Sequence, residues 1–464
     1  MTELNLQDTT AIPQLATSWE PNDEFDEFTF DIHPDAKFAN GEPVTASDIR
    51  RSVDYLANDL EGGAQFLFGL EKAVVIDDKT VRFDLDGPDT EYPRRMAETG
   101  SNFVIAPKSV LDDDPTRLEN EDLGSGPFNL VGGTGGENYV LESRDDYHLT
   151  DGDGNKLPFL DQMNVVVVSE QLAATNGMID TRYDGIQQGD QRFQNRFNQN
   201  VHSSLYGYES PKLLNVLLNV EHEPFDNPNV RKALKYALDQ EEMLAGINGN
   251  GALGYHHNVS PIHKYFADDI DDPFTTQAKP EEARELLEQE GYSGDPLLEL
   301  PTFVYSTDWP EKEVHVQLFQ QQMRAAGIEF DIQQVTGDIY LTEYWNKDEP
   351  WYFSSWGPRA IGSTVMELAF HSESSWNSAR YSNPEFDEVF ETMANATDPD
   401  VKREKMKEAQ QILHLDGPWL VTSFLNTFGA WNDYVENVDI GFSNEKSYFH
   451  NARLTEGAPK GPSP

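Results

Sequence analysis

The chain has 464 residues and contains no cysteine. Disulfide bonds and thiolate metal sites are therefore excluded. No run of about 18 apolar residues occurs, which is the length that a membrane-spanning helix needs. No basic segment followed by an apolar segment comes after Met1, so the printed sequence shows no export leader.

Basic residues are scarce, with 34 lysines and arginines against 82 acidic residues and a formal net charge of −48. This surplus repels phosphate backbones and anionic lipid headgroups, so we expect no nucleic-acid partner and no electrostatic membrane docking. Aromatic residues make up 11% of the chain and the helix and strand patterns are regular, which argues against disorder. A folded protein with such an acidic surface is typical of halophiles, where molar salt screens charge within about 3 Å. We therefore expect a salt-requiring archaeal or bacterial source.

Motifs that would carry chemistry are missing or incomplete. Residues 151–155 begin like a calcium loop, but Lys156 stands at position six and Gln162 at position twelve, so a plain acidic turn is expected. The glycine-rich residues 132–136 lack the Lys-Ser/Thr of a phosphate loop and predict a hairpin turn. His256 and His257 adjoin, which is a poor start for a chelate. No nucleophile elbow or zinc-protease helix motif occurs, so we predict no enzyme, no cofactor and no metal.

The clearest local pattern is a strand, a turn and a helix near the N-terminus. Phe28, Phe30 and Ile32 alternate with polar residues, which predicts a strand with one buried face. The pair at 40–41, Asn-Gly, predicts a tight turn. Thr45 then precedes a helical pattern and is a typical N-cap residue.

The same patterns recur along the chain and predict an α/β fold. Two apolar runs, residues 165–169 and 214–218, predict buried strands. The other predicted strands are residues 73–76, 81–85 and 302–305. The predicted helices are residues 46–60, 229–238, 280–290, 314–326 (ending at Gly327 as a C-cap) and 401–415.

Six longer stretches occur in a fixed order between residues 13 and 435. They are Pro13-Gln-Leu-Ala-Thr-Ser-Trp19 with the strand-turn-helix after it, Gly124-Ser-Gly-Pro127-Phe128, Leu157-Pro-Phe-Leu-Asp161, Pro224-Phe-Asp-Asn-Pro-Asn-Val-Arg231, Lys279-Pro-Glu-Glu-Ala-Arg284 and Tyr381-Ser-Asn-Pro384. Together they resemble the family 5 solute-binding proteins, which are the extracytoplasmic dipeptide, oligopeptide and nickel receptors of ABC importers.

The resemblance implies a two-lobed fold of the type II periplasmic-binding-protein kind with an additional small domain. The small domain would be residues 11–122, the first lobe residues 123–225 plus 431–455, and the second lobe residues 226–430. Residues 456–464 are expected to be a disordered tail. Family members normally carry a leader, often with a lipidated cysteine, and a first strand ahead of the Leu-Ala-x-x-Trp motif, and we expect part of that segment to be absent here.

The resemblance also implies a set of ligand-binding residues. Trp356 is similar to the tryptophan of the family's Trp-x-x-Asp segment, which faces the ligand in peptide and nickel receptors. Trp376 and Asn377 fall in a loop that lies at the cleft edge in the family, and Tyr305 is a further candidate at the end of a strand. The nearby Trp351 and Tyr352 are expected in the core.

One departure from the family pattern concerns charge. Peptide receptors carry an aspartate three residues after that tryptophan, where it pairs with the α-ammonium of the peptide, and this chain carries Arg359. A guanidinium cannot accept a hydrogen bond from an ammonium, so an anionic or neutral ligand is expected instead. Arg94 and Arg95 fall where the small domain can approach the cleft, and they are either ligand contacts or surface partners of nearby acids.

The resulting prediction is an extracellular, surface-tethered and monomeric receptor that delivers a peptide-like or other small polar solute to an ABC transporter permease. Two alternatives stay open. One is a signalling or chemotaxis receptor on the same fold, and the other is an enzyme on this scaffold, against which the missing nucleophile and base motifs count.

Overall fold

The computed structural model describes residues 1–5, 8–60, 63, 67–98, 104–200, 202–308, 310–438, 441–443 and 447–459. The chain forms two compact units, Met1–Tyr208 with Thr427–Pro464 (unit 1) and Glu209–Asn426 (unit 2). The bounds of unit 2 are similar to those of the predicted second lobe, residues 226–430. The finer division into a small domain stays a prediction. The predicted tail lies outside the described residues from position 460 onward.

Strands and helices alternate along most of the chain. The strands are β1 Thr2–Leu4, β2 Ala11–Pro13, β3 Ala16–Pro21, β4 Glu27–Ile32, β5 Leu70–Val75, β6 Thr80–Leu85, β7 Phe128–Thr134, β8 Asn138–Ser143, β9 Gln162–Val166, β10 Gly185–Ile186, β11 Ser203–Leu218, β12 Gly251–Ala252, β13 Leu298–Glu299, β14 Phe303–Ser306, β15 Ile328–Glu329, β16 Ile332–Val335, β17 Trp351–Trp356, β18 Trp419–Asn432, β19 Val435–Glu436 and β20 Arg453–Leu454. The α-helices are α1 Ala46–Asn58, α2 Tyr92–Ala97, α3 Lys108–Asp113, α4 Gln171–Ile179, α5 Gln194–Asn198, α6 Pro228–Ala237, α7 Gln240–Gly246, α8 Pro280–Gln289, α9 Pro310–Ala325, α10 Gly337–Ile339, α11 Gly362–Phe370, α12 Pro384–Ala394 and α13 Pro399–Asp416. Short 3₁₀ turns cover Pro115–Glu119 and Gln191–Phe193, and a π-helical turn covers Tyr340–Tyr344. Among the described residues no helix is both long and apolar enough to cross a membrane.

The first core of unit 1 is built on an antiparallel sheet in the order β3-β4-β6-β5. The predicted strand is confirmed, because Phe28, Phe30 and Ile32 of β4 are buried. The predicted turn is also confirmed, with Gly41 in the left-handed region at φ +86°. Helix α1 begins as predicted, and the Asp48 carboxylate accepts hydrogen bonds from the Thr45 backbone N–H (2.8 Å) and hydroxyl (2.5 Å).

A second sheet of unit 1 has the order β7-β8-β9. Residues 132–136 lie at its first hairpin, as predicted. The prediction that residues 165–169 form a buried strand was wrong. Strand β9 ends at Val166, and the consecutive residues Val165, Val166 and Val167 are all exposed, so within the described residues neither face of this end of the strand is buried.

Unit 2 is built on a sheet with helices on both faces. The strand order is β10-β18-β11-β17-β14-β16, with β12 paired to β18, and among the described residues β10 is the one strand of this sheet that lies wholly in the unit 1 segments. One face carries Leu214, Val216 and Phe353 and packs on α6 to α9. The other face carries Leu213 and Trp356 and packs on α11 to α13. The apolar run 214–218 is buried as predicted, because both of its faces meet a helical layer.

The predicted helices of unit 2 are confirmed with small shifts of their ends. The largest shift concerns α9, which begins at Pro310 rather than at residue 314. Gly327 follows α9 with φ +76°, the left-handed conformation of a C-cap glycine. Two long strands, β11 and β18, pass from one unit into the other without a break.

Candidate ligand-binding site

The site lies at one edge of the unit 2 sheet. Strands β14 and β17 are parallel, with Val304 opposite Tyr352, so their carboxyl ends at Ser306 and Trp356 lie at the same edge. In open α/β sheets this is the edge at which ligands bind. Leu213 of β11 pairs with Trp356 at this edge.

Trp356 stands at the centre of an aromatic cluster. Its ring centroid lies 6.1 Å from that of Trp376 and 5.8 Å from that of Trp419, and 7% of the residue is exposed. Trp376 is half-buried and contacts Trp345 edge to face at 5.4 Å. The structure thus brings together two of the predicted site residues, Trp356 and Trp376. Such rings offer flat apolar surface with little conformational freedom to lose on binding.

Arg359 follows three residues after Trp356 and is half-buried. Its Nη1 donates to the Pro358 carbonyl at 3.3 Å, and within the described part of the chain no carboxylate lies at ion-pair distance. This is notable in a chain with so many acidic residues. A guanidinium in this state keeps its forked donors for an anionic or acceptor group.

The backbone around Arg359 is held by the segment 256–263. His263 Nε2 donates to the Arg359 carbonyl at 2.8 Å, while its Nδ1 accepts from the Ser260 N–H at 2.9 Å. Asn258 Nδ2 donates to the Gly362 carbonyl at 2.6 Å. Because these side chains are buried, they fix the path of the turn that presents Arg359. The neighbours His256 and His257 are also buried, and burial lowers the pKa of both well below the ordinary value.

Asn377 lies beside Trp376, but its amide is engaged with its own loop. Its Nδ2 donates to the Tyr381 carbonyl at 2.6 Å, and its Oδ1 accepts from the Tyr381 N–H at 3.1 Å. These bonds shape the loop that carries Trp376. A direct contact between Asn377 and the ligand stays a prediction.

Tyr305 is not brought to the same place. It is buried among Phe303 and the helices α8 and α9, on the face of the sheet opposite Trp356. Burial raises the pKa of its phenol above the ordinary value. Trp351 and Tyr352 are core residues, as expected.

Arg94 and Arg95 belong to unit 1 and have partners there. Arg94 donates to the Thr9 carbonyl at 2.7 Å and pairs with Glu91. Arg95 is buried and pairs with Asp89 at 2.8 Å. The alternative that these arginines pair with nearby acids agrees with these contacts, and a ligand contact has no support from them.

Sequence reasoning missed a polar group at the end of β14. Lys312 is 1% exposed, and its ammonium donates to Ser306 Oγ and Asp308 Oδ1, both at 2.9 Å. Burial lowers the pKa of Lys312, and the Asp308 carboxylate opposes this. The spacing of Asp308 and Lys312, four residues apart across a helix start, is the signal that could have indicated the pair.

A match to a protein-family model identifies the class of protein to which this chain belongs. The model of the bacterial extracellular solute-binding proteins, family 5 (middle part), matches residues 10–377. The chain belongs to this family. It is therefore a solute receptor with a type II binding-protein fold, and its family consists of extracellular binding proteins.

Curated relatives of this family 5 receptor agree with the assignment. The dipeptide-binding protein DppE of Bacillus subtilis is 26% identical, over 92% of this chain and 81% of the relative. The probable D,D-dipeptide-binding periplasmic protein DdpA of Escherichia coli is 25% identical, over 88% and 78%.

Solved structures show the same fold. AgaA of A. tumefaciens R10, in complex with agropinic acid, matches with a TM-score of 0.84 and 19% identity, over 98% of this chain and 92% of that one. AppA of Bacillus subtilis, in complex with a nonapeptide, matches with a TM-score of 0.83 and 20% identity over the same shares.

Proposed function

We propose that this receptor binds a small peptide-like or anionic solute and delivers it to the permease of an ABC importer while tethered at the cell surface. Trp356 and Trp376 cover the solute, and Arg359 binds its carboxylate or another acceptor group. The observation that carries the ligand class is the Arg359 guanidinium, which has no carboxylate at ion-pair distance among the described residues.

The ligand classes of relatives and neighbours support this range. Curated relatives are named for dipeptides, and the same fold holds agropinic acid in one solved structure and a nonapeptide in another. An arginine where peptide receptors carry an aspartate favours the acidic or neutral members of that range, because like charges in a dry site repel strongly. The role is binding without catalysis. The protein should therefore leave its solute chemically unchanged, which mass spectrometry of the solute before and after incubation with the protein can check.

A thermal-shift screen tests the ligand class. Wild type and Arg359→Asp are compared against unmodified peptides, their N-acetylated forms, sugars and organic acids. We expect acids or N-acetylated peptides to stabilise the wild type, and Arg359→Asp to lose this and to respond to unmodified peptides. Arg284→Asp is the matched control, because Arg284 is also half-buried without an ion pair in the described chain but lies on α8. Stabilisation of the wild type by unmodified peptides alone would refute the role of Arg359 and the preference for an anionic or neutral solute.

Calorimetry of Trp356→Ala tests the aromatic wall. Loss of the ring should weaken binding of the best solute by about 1–3 kcal/mol, through lost apolar burial and stacking. An unchanged affinity in a folded variant would show that Trp356 serves the core alone.

A further inference from the structure

A polar pair lies on the same sheet face as Trp356. Asn215 of β11 is directly opposite Ser354 of β17, two residues along the register from the pair Leu213 and Trp356. In an antiparallel ladder such partners project to the same side. Asn215 is fully buried and Ser354 is 1% exposed, so two polar side chains sit inside an otherwise apolar layer.

Within the described part of the chain, these side chains find no hydrogen-bond partner outside their own group. Asn215 Nδ2, Asn215 Oδ1 and Trp419 Nε1 are buried without a partner, and the buried Ser354 and Tyr340 hydroxyls have at most each other. A buried polar group without a partner costs about 1–3 kcal/mol. Several of them together, beside a candidate binding residue, indicate that a group outside the chain supplies the missing partners.

Tyr340 adds a third uncharged side chain to the pair. It begins the π-helical turn Tyr340–Tyr344, a rare conformation that is frequent at functional sites. Burial raises the pKa of its phenol well above the ordinary value, and a weak hydrogen bond with the Ser354 hydroxyl opposes this rise. The phenol therefore stays protonated and can donate.

The pair also lies at the proper end of the sheet. It is two residues inside the carboxyl end of β17, which is the edge that carries Trp356 and precedes Arg359. Asn215 lies six residues beyond Glu209, where β11 enters unit 2. The unpaired atoms are thus next to the proposed site rather than deep in the helical layers.

We propose that Asn215, Ser354 and Tyr340 form a polar subsite that binds an uncharged group of the solute carrying both a donor and an acceptor, such as an amide. The Asn215 amide can accept a hydrogen bond from such a group and donate one to it, and the two hydroxyls can form further hydrogen bonds with the same group. An ionised group is disfavoured, because this part of the layer would strip its hydration. The Lys312 ammonium lies 5.5 Å from the Tyr340 ring centroid, but it is already paired with Asp308. The inference rests on the proposed function and assigns the amide-reading part of the same site.

The test compares three single variants of the full chain in molar KCl, with trialanine and N-acetyl-trialanine as probes. Ser354→Ala and Asn215→Leu remove unpaired polar groups, and Ser203→Ala is the matched control. Ser203 is also buried with an unpaired hydroxyl, but it lies in unit 1. Melting temperatures are measured without probe and affinities by calorimetry.

We expect all three ligand-free variants to melt at or above the wild-type temperature. Ser354→Ala and Asn215→Leu should bind the better probe about tenfold more weakly, as the loss of a hydrogen bond to a buried group predicts, and Ser203→Ala should bind it normally. If the wild type binds a probe and both site variants bind it equally well, water alone fills the subsite and the inference is overturned. If the wild type binds neither probe, the peptide-like ligand class of the proposed function fails and the amide-binding subsite fails with it, whereas binding of another anionic solute is decided by the thermal-shift screen. Should Asn215→Leu not fold, the smaller change Ser354→Ala decides alone.

Discussion

Two apolar strands of this protein have opposite surroundings. Strand β9 of unit 1 carries Val165 and Val166, of which Val166 is 48% exposed. Strand β11 of unit 2 carries Val216, which is fully buried. Both strands contain an apolar run, but Val165 and Val166 project to opposite faces of a three-stranded sheet and both are exposed, whereas β11 lies between two helical layers. Burial is decided by the layers that cover a strand and not by the apolar character of the strand itself.

Removal of salt should erase the difference in burial between these two strands, because we expect both units to loosen. Dilution from molar to about 0.01 M salt lengthens the screening distance from about 3 Å to about 30 Å, so the net charge of −48 repels itself across the molecule. We expect the melting temperature, followed by circular dichroism in a KCl series, to fall steeply. An unchanged melting temperature in dilute buffer would contradict the halophilic interpretation.

A charge placed in each strand should sharpen the difference. Val216→Asp buries an unpaired carboxylate and should lower the stability of unit 2 by roughly 3–5 kcal/mol. Val166→Asp is the matched control, because a partly exposed site should change stability by no more than about 0.5 kcal/mol. Urea denaturation in molar KCl measures both, and equal losses would show that β9 is covered in solution.

Acid should weaken unit 2 through its buried histidines. Burial lowers the pKa of His315 to about 4, so the folded state excludes a proton that the unfolded chain takes up below its ordinary value of 6.5. The stabilisation is therefore present above pH 6.5 and lost as pH falls toward 4, by about 3 kcal/mol for this residue. His315→Gln should flatten the dependence of the melting temperature on pH in that window. The exposed His202, changed in the same way, is the matched control.

The smallest expected effect concerns the start of α1. The Asp48 carboxylate accepts hydrogen bonds from the Thr45 N–H and from the Lys108 N–H, the latter at 2.7 Å through Oδ1. Asp48→Ala should cost about 1–2 kcal/mol through the lost cap. Asp54→Ala on the same helix removes only a half-exposed pair with Arg50 and should be nearly neutral. A comparable loss in both variants would show that the cap adds nothing specific.

Local structure was predictable where neighbouring residues determine it. The strand at Phe28, the turn at Gly41 and the helix at Pro228 depend on periodicity and capping within a few residues, and all three are present. The aromatic pair Trp356 and Trp376 was reached through the resemblance to the family, since their separation in sequence says nothing about their contact.

The rest depends on contacts between distant residues. The partners of Arg95 and the exposure of Val166 follow from which elements pack together, and no local pattern contains that information. Asn215 was overlooked because it lies inside the apolar run 214–218, which predicts a buried strand. The signal was the asparagine itself, since an amide within such a run needs a partner.

The way the chain passes between its units has a consequence for biosynthesis. Unit 2 is one continuous segment, Glu209–Asn426, so all of its residues are available before the ribosome has finished the chain. Unit 1 is split, and within the described residues Gly185 and Ile186 pair with Trp431 and Ala430 of its second segment. Because the chain is synthesised from its N-terminal end, the first segment of unit 1 has an unpaired strand until the second segment has been made. A premature stop after Asn426 would leave unit 2 whole and this strand permanently unpaired.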